Sequence, residues 1–334
     1  MSQEVITVES GKINHYLHHV DLREFGARRI LSCYIGEFDD TTVILDCGPS
    51  ILVKNILRYM KRKDISQSSI KYLITSHHHF DHAGGMWKLY EEIKKHNTDV
   101  KIVTNHQTKD LLNDYEYHLN RAKSTFGNNI GEMNPIKEDA FKLIEPTKNI
   151  ADKPHLFEII DTFKRNGEEV KLSIIKTPGH TPDHQCPLFI NNNNEIDFLF
   201  LGEAVGTMYH STELLTLPTS MPIYFKYKEY METLENLKKL SPFKAGFGHF
   251  GVVNGKDNVR EIIVEHESFM KEYRAKIIKY YEEKPETQYV VEKITPFLLP
   301  RTDLWNGKHP VLTNVILAIV YGMMLDLGYR KIPE

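Results

Sequence analysis

Apolar positions along this chain fall into short blocks whose period switches between two and about three and a half. Ile30–Ile35, Thr42–Leu45, Ile70–Thr75 and Val100–Thr104 read as strands. Between them, Ile51–Lys63 carries Ile51, Leu52, Ile56, Leu57 and Met60 at helical spacing, and Ala83–Lys95 reads as a second helix. Such alternation predicts an α/β layered fold. The stretch from Asn105 to about Lys153 is polar and helical, over Leu111–Lys123 and Lys137–Leu143, with a Gly/Asn-rich break between. It is an insertion of the size that walls or caps a pocket. Strands return at Phe157–Phe163, Val170–Lys176, Gln185–Ile190 and Ile196–Leu201, the last two joined by a turn at Asn191–Asn194. An amphipathic helix over Tyr227–Leu240 and a strand over Pro242–Gly246 follow.

After Gly255 the pattern becomes almost wholly helical, with Asn258–Glu283, Pro285–Phe297 and then Val311–Leu327, which is apolar on nearly every side. The change divides the chain into an α/β domain at 1–255, with its insertion at about 105–153, and a helical extension at 256–334. Val311–Leu327 is shorter than the roughly 20 residues of a membrane span and contains Thr313, Asn314 and Asp326. An all-round apolar helix of this kind is expected to be buried, in the core or against a second copy in a homodimer.

Composition narrows the functional classes. A net charge of −3 over 334 residues gives no electrostatic reason to expect a nucleic-acid partner. Cys33, Cys47 and Cys186 are too few and too scattered for a disulfide framework or a thiolate zinc site. The start MSQEVITVES lacks the basic and apolar regions of a signal peptide, so the expected compartment is the cytoplasm.

The chemistry concentrates in SHHHFDHAGG, Ser76 to Gly85. His77, His79, Asp81 and His82 are imidazole and carboxylate groups, the types that borderline divalent metals prefer. So short a loop cannot turn all four onto one ion without strain. They suit two adjacent ions, one taking His77 and His79, the other Asp81 and His82. Two close metals imply a shared water and hydrolysis. Further ligands are expected on other strand-end loops, where α/β proteins place their sites. His180 in KTPGHTPDH, Glu203 in FLFLGEAVG and His249 in AGFGHFG each follow an apolar run and lie beside glycine. His18, His19, His96, His106 and His210 lack such a setting and read as structural, and His78 as a neighbour of the ligands.

SHHHFDHAGG, TPGHTPDH, FLGE and GHFG, in that order over roughly residues 27–255, resemble the signature of the metallo-β-lactamase-fold hydrolase superfamily. The His loop is similar to that of glyoxalase II. The resemblance implies an αββα sandwich of two mixed sheets with helices outside, here with a helical insertion and a C-terminal helical extension. It implies that His77, His79 and His180 hold one divalent metal and that Asp81, His82 and His249 hold a second. Glu203 stands where the family usually has a bridging Asp. Zinc is the first expectation for both ions, with iron or manganese next. Asp46, after the second strand, resembles the family's Asp that accepts a ligand imidazole N–H. His184 is a candidate for substrate contact or for capping a strand. Tyr209 and Tyr224 bound a Pro-rich segment expected to form an apolar wall near the metals. The expected activity is attack by a metal-bridged hydroxide on a small ester, thioester or lactone-type substrate, with Asp81 handling the nucleophile's proton. A mononuclear iron sulfur dioxygenase of the same fold and a non-catalytic metal-binding module are the two alternatives.

Overall fold

A computed structural model describes residues 4–148, 156–304 and 310–332. Its strands form two seven-stranded sheets. One contains β2 (Gly11–Lys12), β3 (Leu17–Asp21), β4 (Ser32–Glu37), β5 (Thr42–Leu45), β6 (Ile70–Ile74), β7 (Lys101–Thr104) and β8 (Phe141–Leu143), paired in that order. The other runs β1 (Ile6–Thr7), β14 (Val252–Asn254), β13 (Lys244–Phe247), β12 (Ile196–Gly202), β11 (Gln185–Ile190), β10 (Glu168–Lys176), β9 (Ile159–Arg165). Both sheets are mixed: β5 to β8 pair in parallel, as do β12 and β13, whereas the remaining neighbours are antiparallel.

Period-two alternation sorts the strand side chains into three apolar layers. Tyr34, Val43, Leu45, Tyr72 and Ile74 of one sheet meet Phe163, Leu172, Phe189, Phe198 and Phe200 of the other. Their immediate neighbours in sequence, such as Cys33, Ile35 and Ile44, face outward onto α1 (Val53–Arg62) and α3 (Met86–Lys94). On the far side, Leu199 and Leu201 pack under α6 (Tyr227–Leu237), α7 (Lys256–Glu283), α8 (Thr287–Leu298) and α9 (Pro310–Asp326). Helix, sheet, sheet, helix is the αββα sandwich. All three cysteines are buried and free.

Several elements differ from the pattern-based reading. Lys137–Leu143 is not a helix: one turn of 3-10 helix at Glu138–Ala140 leads into β8, which pairs with β7 through Phe141 and Ile102. Seven residues are too few to offset helix nucleation, and an open strand edge supplied the hydrogen bonds instead. The helix expected over Ala83–Lys95 breaks after the single turn α2 (Phe80–Ala83), because the Gly85 N–H donates to the Gly48 carbonyl at 2.8 Å. Leu111–Lys123 resolves into α4 (His106–Asn113) and α5 (Glu116–Phe126). The strand expected over Pro242–Gly246 lies at Lys244–Phe247. β1, β2, β3 and β14 gave no readable pattern, being two to five residues long.

One face of the apolar stretch Val311–Leu327 is buried within its own chain, while Leu317 on the other is exposed. Leu312, Ile316, Ile319, Val320, Met323 and Met324 of α9 all belong to the outer core, each stabilising by about 1.5–3 kcal/mol when fully buried. Among the described residues no helix is long and apolar enough to cross a membrane.

Candidate metal centre

Strand ends on one edge of the sandwich deliver every residue that the motifs single out. β5 ends at Asp46, β6 at the His loop, β10 at the turn with His180, β12 at Glu203 and β13 at the turn with His249. His77, His79, His180 and Glu203 present ligand atoms within 4.8 Å of one another, and Asp81, His82 and His249 form an adjoining group of the same compactness.

In the first group, His180 Nε2 lies 3.2 Å from His77 Nε2 and 3.1 Å from His79 Nδ1. Glu203 Oε2 is 2.8 Å from His180 Nε2 and 3.3 Å from His77 Nε2. A tetrahedral ion with bonds of about 2.0–2.1 Å has ligand–ligand edges of about 3.3–3.4 Å, so this donor set fits a metal. In the second group, Asp81 Oδ2 is 3.3 Å from His249 Nε2 and 3.9 Å from His82 Nε2. Glu203 joins the two groups, with Oε2 3.4 Å from His82 Nε2 and Oε1 3.8 Å from His249 Nε2. His82 Nε2 is buried without a hydrogen-bond partner, an orphan that a cation would satisfy.

The imidazoles are aimed by what their other nitrogens do. His180 Nδ1–H donates to the Thr219 carbonyl at 2.7 Å, and His249 Nδ1–H to that of Ile30 at 3.0 Å. Asp46 accepts from His82 Nδ1–H at 2.9 Å, and from the N–H and hydroxyl of Ser76 at 2.7 Å each. The Ser76 hydroxyl in turn accepts from His77 Nδ1–H at 3.0 Å. Asp46 holds this position with φ +54°, a left-handed conformation that Asp tolerates better than most residues and that clusters at functional sites. Four imidazoles therefore share one tautomer, with Nε2 free to face the centre.

Electrostatics follow from burial and from this mutual proximity. Burial, then the neighbouring His82, holds His77 well below the ordinary histidine range, and burial holds His79 at about 4. Burial alone would also lower His82, but Asp81, Asp46 and Glu203 outweigh it and raise it. For Glu203 burial acts upward, yet the contacts with His180 and His77 prevail and keep it ionised.

His184 does not reach substrate space. It is buried beneath Glu203, with Nε2 accepting the Glu203 N–H at 3.1 Å and Nδ1–H donating to the Thr177 hydroxyl at 2.8 Å. Gly202 makes room for that ring: a Cβ there would sit 2.7 Å from His184 Nε2, and its φ is +53°. His78 donates from Nδ1 to Asp183 at 2.9 Å, while its Nε2 is buried without a hydrogen-bond partner, in a separate group with His79 and His118. Asp183 also accepts from the His78 N–H and from Thr108 of α4, so it ties the His loop to the insertion. Its signal was present in TPDH, but nothing in the spacing distinguished it from a turn former. His18 and His19 sit buried on β3, bonded to Tyr59 and Ser32 respectively. His96 and His106 are exposed.

Tyr209 and Tyr224 do line a pocket that opens over His79, Asp81, Glu203 and His249. The Tyr209 ring lies 5.6 Å from that of His249. The insertion supplies a further wall, as its size suggested, through Tyr117, His118 and Phe126 of α5. The walls from Glu24 and Phe25 and from Leu312, Val315 and Ala318 of α9 were not legible in the sequence. His118 stacks on His79 with ring planes 2° apart.

Two buried histidines away from the pocket give this site a pH signature. Burial holds both His184 and His266 at about 3, the latter donating or accepting between Tyr230 and Thr216 below Glu203. Their unfolded value is near 6.5, so the unfolded chain binds more protons below that pH. Stability is then fully present above about pH 6.5 and is lost as pH falls toward 3, by at most about 1.4 kcal/mol per pH unit for each such ring. Urea unfolding of metal-free protein should show a midpoint that declines as pH falls from 6 to 4. A level profile down to pH 4 would contradict these environments.

An α/β sandwich with clustered histidines and carboxylates at one sheet edge defines a class of metal-binding proteins, and the comparisons agree. Residues 27–249 match the metallo-beta-lactamase superfamily, to which this chain belongs. It is 25% identical over 240 residues to the metallo-beta-lactamase fold-containing protein ST1585 of Sulfurisphaera tokodaii, covering 72% of this chain and 80% of that one. The crystal structure of ST1585 superposes with a TM-score of 0.60 at 21% identity, covering 93% of this chain and 98% of that one. The metallo-beta-lactamase family protein TTHA1429 from Thermus thermophilus follows with 0.58, 14% identity and coverage of 89% and 88%. BJP-1, a subclass B3 metallo-beta-lactamase of Bradyrhizobium japonicum, gives 0.54, 15% identity and coverage of 83% and 97%.

Proposed function

We propose that the protein is a metal-dependent hydrolase with a two-ion centre, acting on small ester, thioester or lactone-type substrates. The observation that carries this reading is Glu203, whose two carboxylate oxygens reach toward both ligand groups. His77, His79 and His180 would hold one ion, Asp81, His82 and His249 the other, and Glu203 would span them. Nitrogen-rich sets of this kind suit zinc first, and iron or manganese next. When bound, such a pair supplies an acidified water at neutral pH and polarises the substrate carbonyl.

The chain's own residues supply the rest. Asp46, Ser76, Thr219 and the Ile30 carbonyl hold the imidazoles at fixed tautomer and angle, so little reorganisation accompanies reaction. Asp81 is the more accessible of the two carboxylates and faces the pocket, where it orients the nucleophile and takes up its proton. The walls from α5 and α9 exclude water and receive the apolar part of the substrate. The cavity measures about 180 Å³, close to the roughly 150 Å³ that accommodates benzene, which favours a single acyl chain or ring over a polymer.

Chelator-treated protein should lose hydrolysis of a panel of aryl esters, acyl thioesters, lactones and a β-lactam (the last prompted by the name of BJP-1). Restored zinc, iron or manganese should return it, with about two ions per chain by elemental analysis. Hydrolysis that persists without metal overturns the reading. One iron per chain with oxygen uptake replaces it by the dioxygenase alternative.

A further inference from the structure

The loop between β3 and β4 carries a carboxylate with no evident structural partner. Glu24 is 2% exposed, and its Oε1 is buried with no hydrogen bond. Arginines surround it in sequence, yet Arg28 and Arg29 pair outward with Glu9, and Arg23 is exposed. Among the described residues none forms a salt bridge with Glu24. A carboxyl group so placed costs about 1–3 kcal/mol or more unless something binds it. Glu24 lines the pocket over the metal centre. On the same pocket, Thr207 places a second buried, unpartnered polar atom, its Oγ1. The backbone of Thr207 is fixed by reciprocal hydrogen bonds with Leu217 at 2.8 and 3.0 Å, so that hydroxyl is presented from a rigid bridge. Two orphan polar atoms in a largely apolar pocket match the usual build of a small-molecule site, where a few polar groups fix orientation.

We propose that Glu24 and Thr207 form a specificity subsite that takes a hydrogen-bond-donating group, a hydroxyl or an amide N–H, carried by an otherwise apolar acyl or ring substrate. This rests on the pocket being the substrate site of the proposed hydrolase and adds a substrate class to it. Glu24 is the acceptor. Thr207 accepts from, or donates to, a second polar group of the same molecule. The substrate so defined is a hydroxylated or amide-bearing ester, thioester or lactone, whose apolar remainder lies against Phe126 and the α9 wall. Their proposed role is to set which molecule is held and where.

The test is binding to metal-loaded protein by calorimetry, with probes that cannot be hydrolysed under the assay conditions. Para-ethylphenol is compared with para-ethylanisole, and N-methylbutanamide with N,N-dimethylbutanamide; in each pair methylation removes the donor and adds one methyl group, and the Glu24→Leu arm separates the two effects. Wild type should prefer the donor member of at least one pair by about threefold to tenfold, as one hydrogen bond to a buried carboxyl oxygen implies. The preferred pair tells hydroxyl from amide. Glu24→Leu should abolish that preference while metal content and melting temperature stay at or above the wild-type values, because it removes an unpaired buried carboxyl. Glu24→Gln, which keeps an acceptor oxygen, should retain part of it, and Thr207→Val should reduce it. Equal binding of both members by wild type, or a preference undiminished in both Glu24→Leu and Thr207→Val, overturns the proposal. Selective binding by a protein that hydrolyses nothing would sink the hydrolase reading and leave the subsite standing. The reverse outcome would do the opposite.

Discussion

Glu203→Ala should lower the metal content from about two ions per chain to one or fewer, and cut hydrolysis by about three orders of magnitude. The reason is its position. Its Oε2 lies within 3.4 Å of nitrogens from His180, His77 and His82, and its Oε1 within 3.8 Å of His249. Without it, Asp81 is the only carboxylate left among the seven proposed ligands, and two dications would face each other with little negative charge between them. A loss of several kcal/mol in transition-state stabilisation corresponds to the stated rate effect. Glu203→Asp is the informative companion. It keeps the charge but shortens the side chain by one methylene, so it should retain one ion firmly and the other weakly. Elemental analysis after dialysis against buffer, with activity on the best panel substrate, checks both variants. An alanine variant with two tightly held ions would remove Glu203 from the centre.

The second large effect concerns the pocket rather than the metals. Gly322 lies in the middle of α9, where a Cβ would come within 1.9 Å of the Ser220 carbonyl oxygen and 2.8 Å of Pro222 N. The same contact carries a hydrogen bond from the Ser220 hydroxyl to the Ile319 carbonyl at 2.7 Å. Backbone meets backbone there, so no side chain can yield to a methyl group. Gly322→Ala should push α9 off this loop and lower stability by about 3 kcal/mol, at the upper end of the range for overpacking. Because Leu312, Val315 and Ala318 of α9 line the pocket, pocket ligands should bind at least tenfold more weakly. Metal content should hold, since the proposed ligands come from loops at the sheet edge. Calorimetric binding of para-ethylphenol, melting temperature and elemental analysis together read this pattern. Wild-type affinity and stability in the variant would show that α9 does not set the pocket wall.

The two effects fall on parts of the molecule that differ in how legible they were. The proposed ligands announced themselves because four cluster in one loop after an apolar strand and the other three, His180, Glu203 and His249, each follow an apolar run and lie beside glycine, local arrangements that a linear string displays. The supports were partly visible: Asp46 follows its strand in a way that resembles a familiar arrangement, whereas Asp183 looked like any turn former until it met His78 from 105 positions away. Lys137–Leu143 misled as a helix because its seven residues have no period of their own strong enough to resist a free strand edge. His184 illustrates the opposite case. Its residue type suggested chemistry, but burial and two satisfied nitrogens make it a support for the Glu203 backbone.

The sequence by itself determined the layered α/β class, the order of strand-end motifs and the identity of the atoms that converge at one sheet edge. These depend on periodicity and residue type over a few positions, which local physical chemistry governs. Tyr209, Tyr224 and the insertion were expected at the pocket, but only the tertiary structure decided what its other walls are. Glu24, Thr207 and α9 are scattered over nearly 300 residues and carry no shared motif. They meet because apolar faces of the insertion and the C-terminal helices had to be buried against the same end of the sandwich. Burial sums over the whole chain, so no short window of sequence records where its last open space is left.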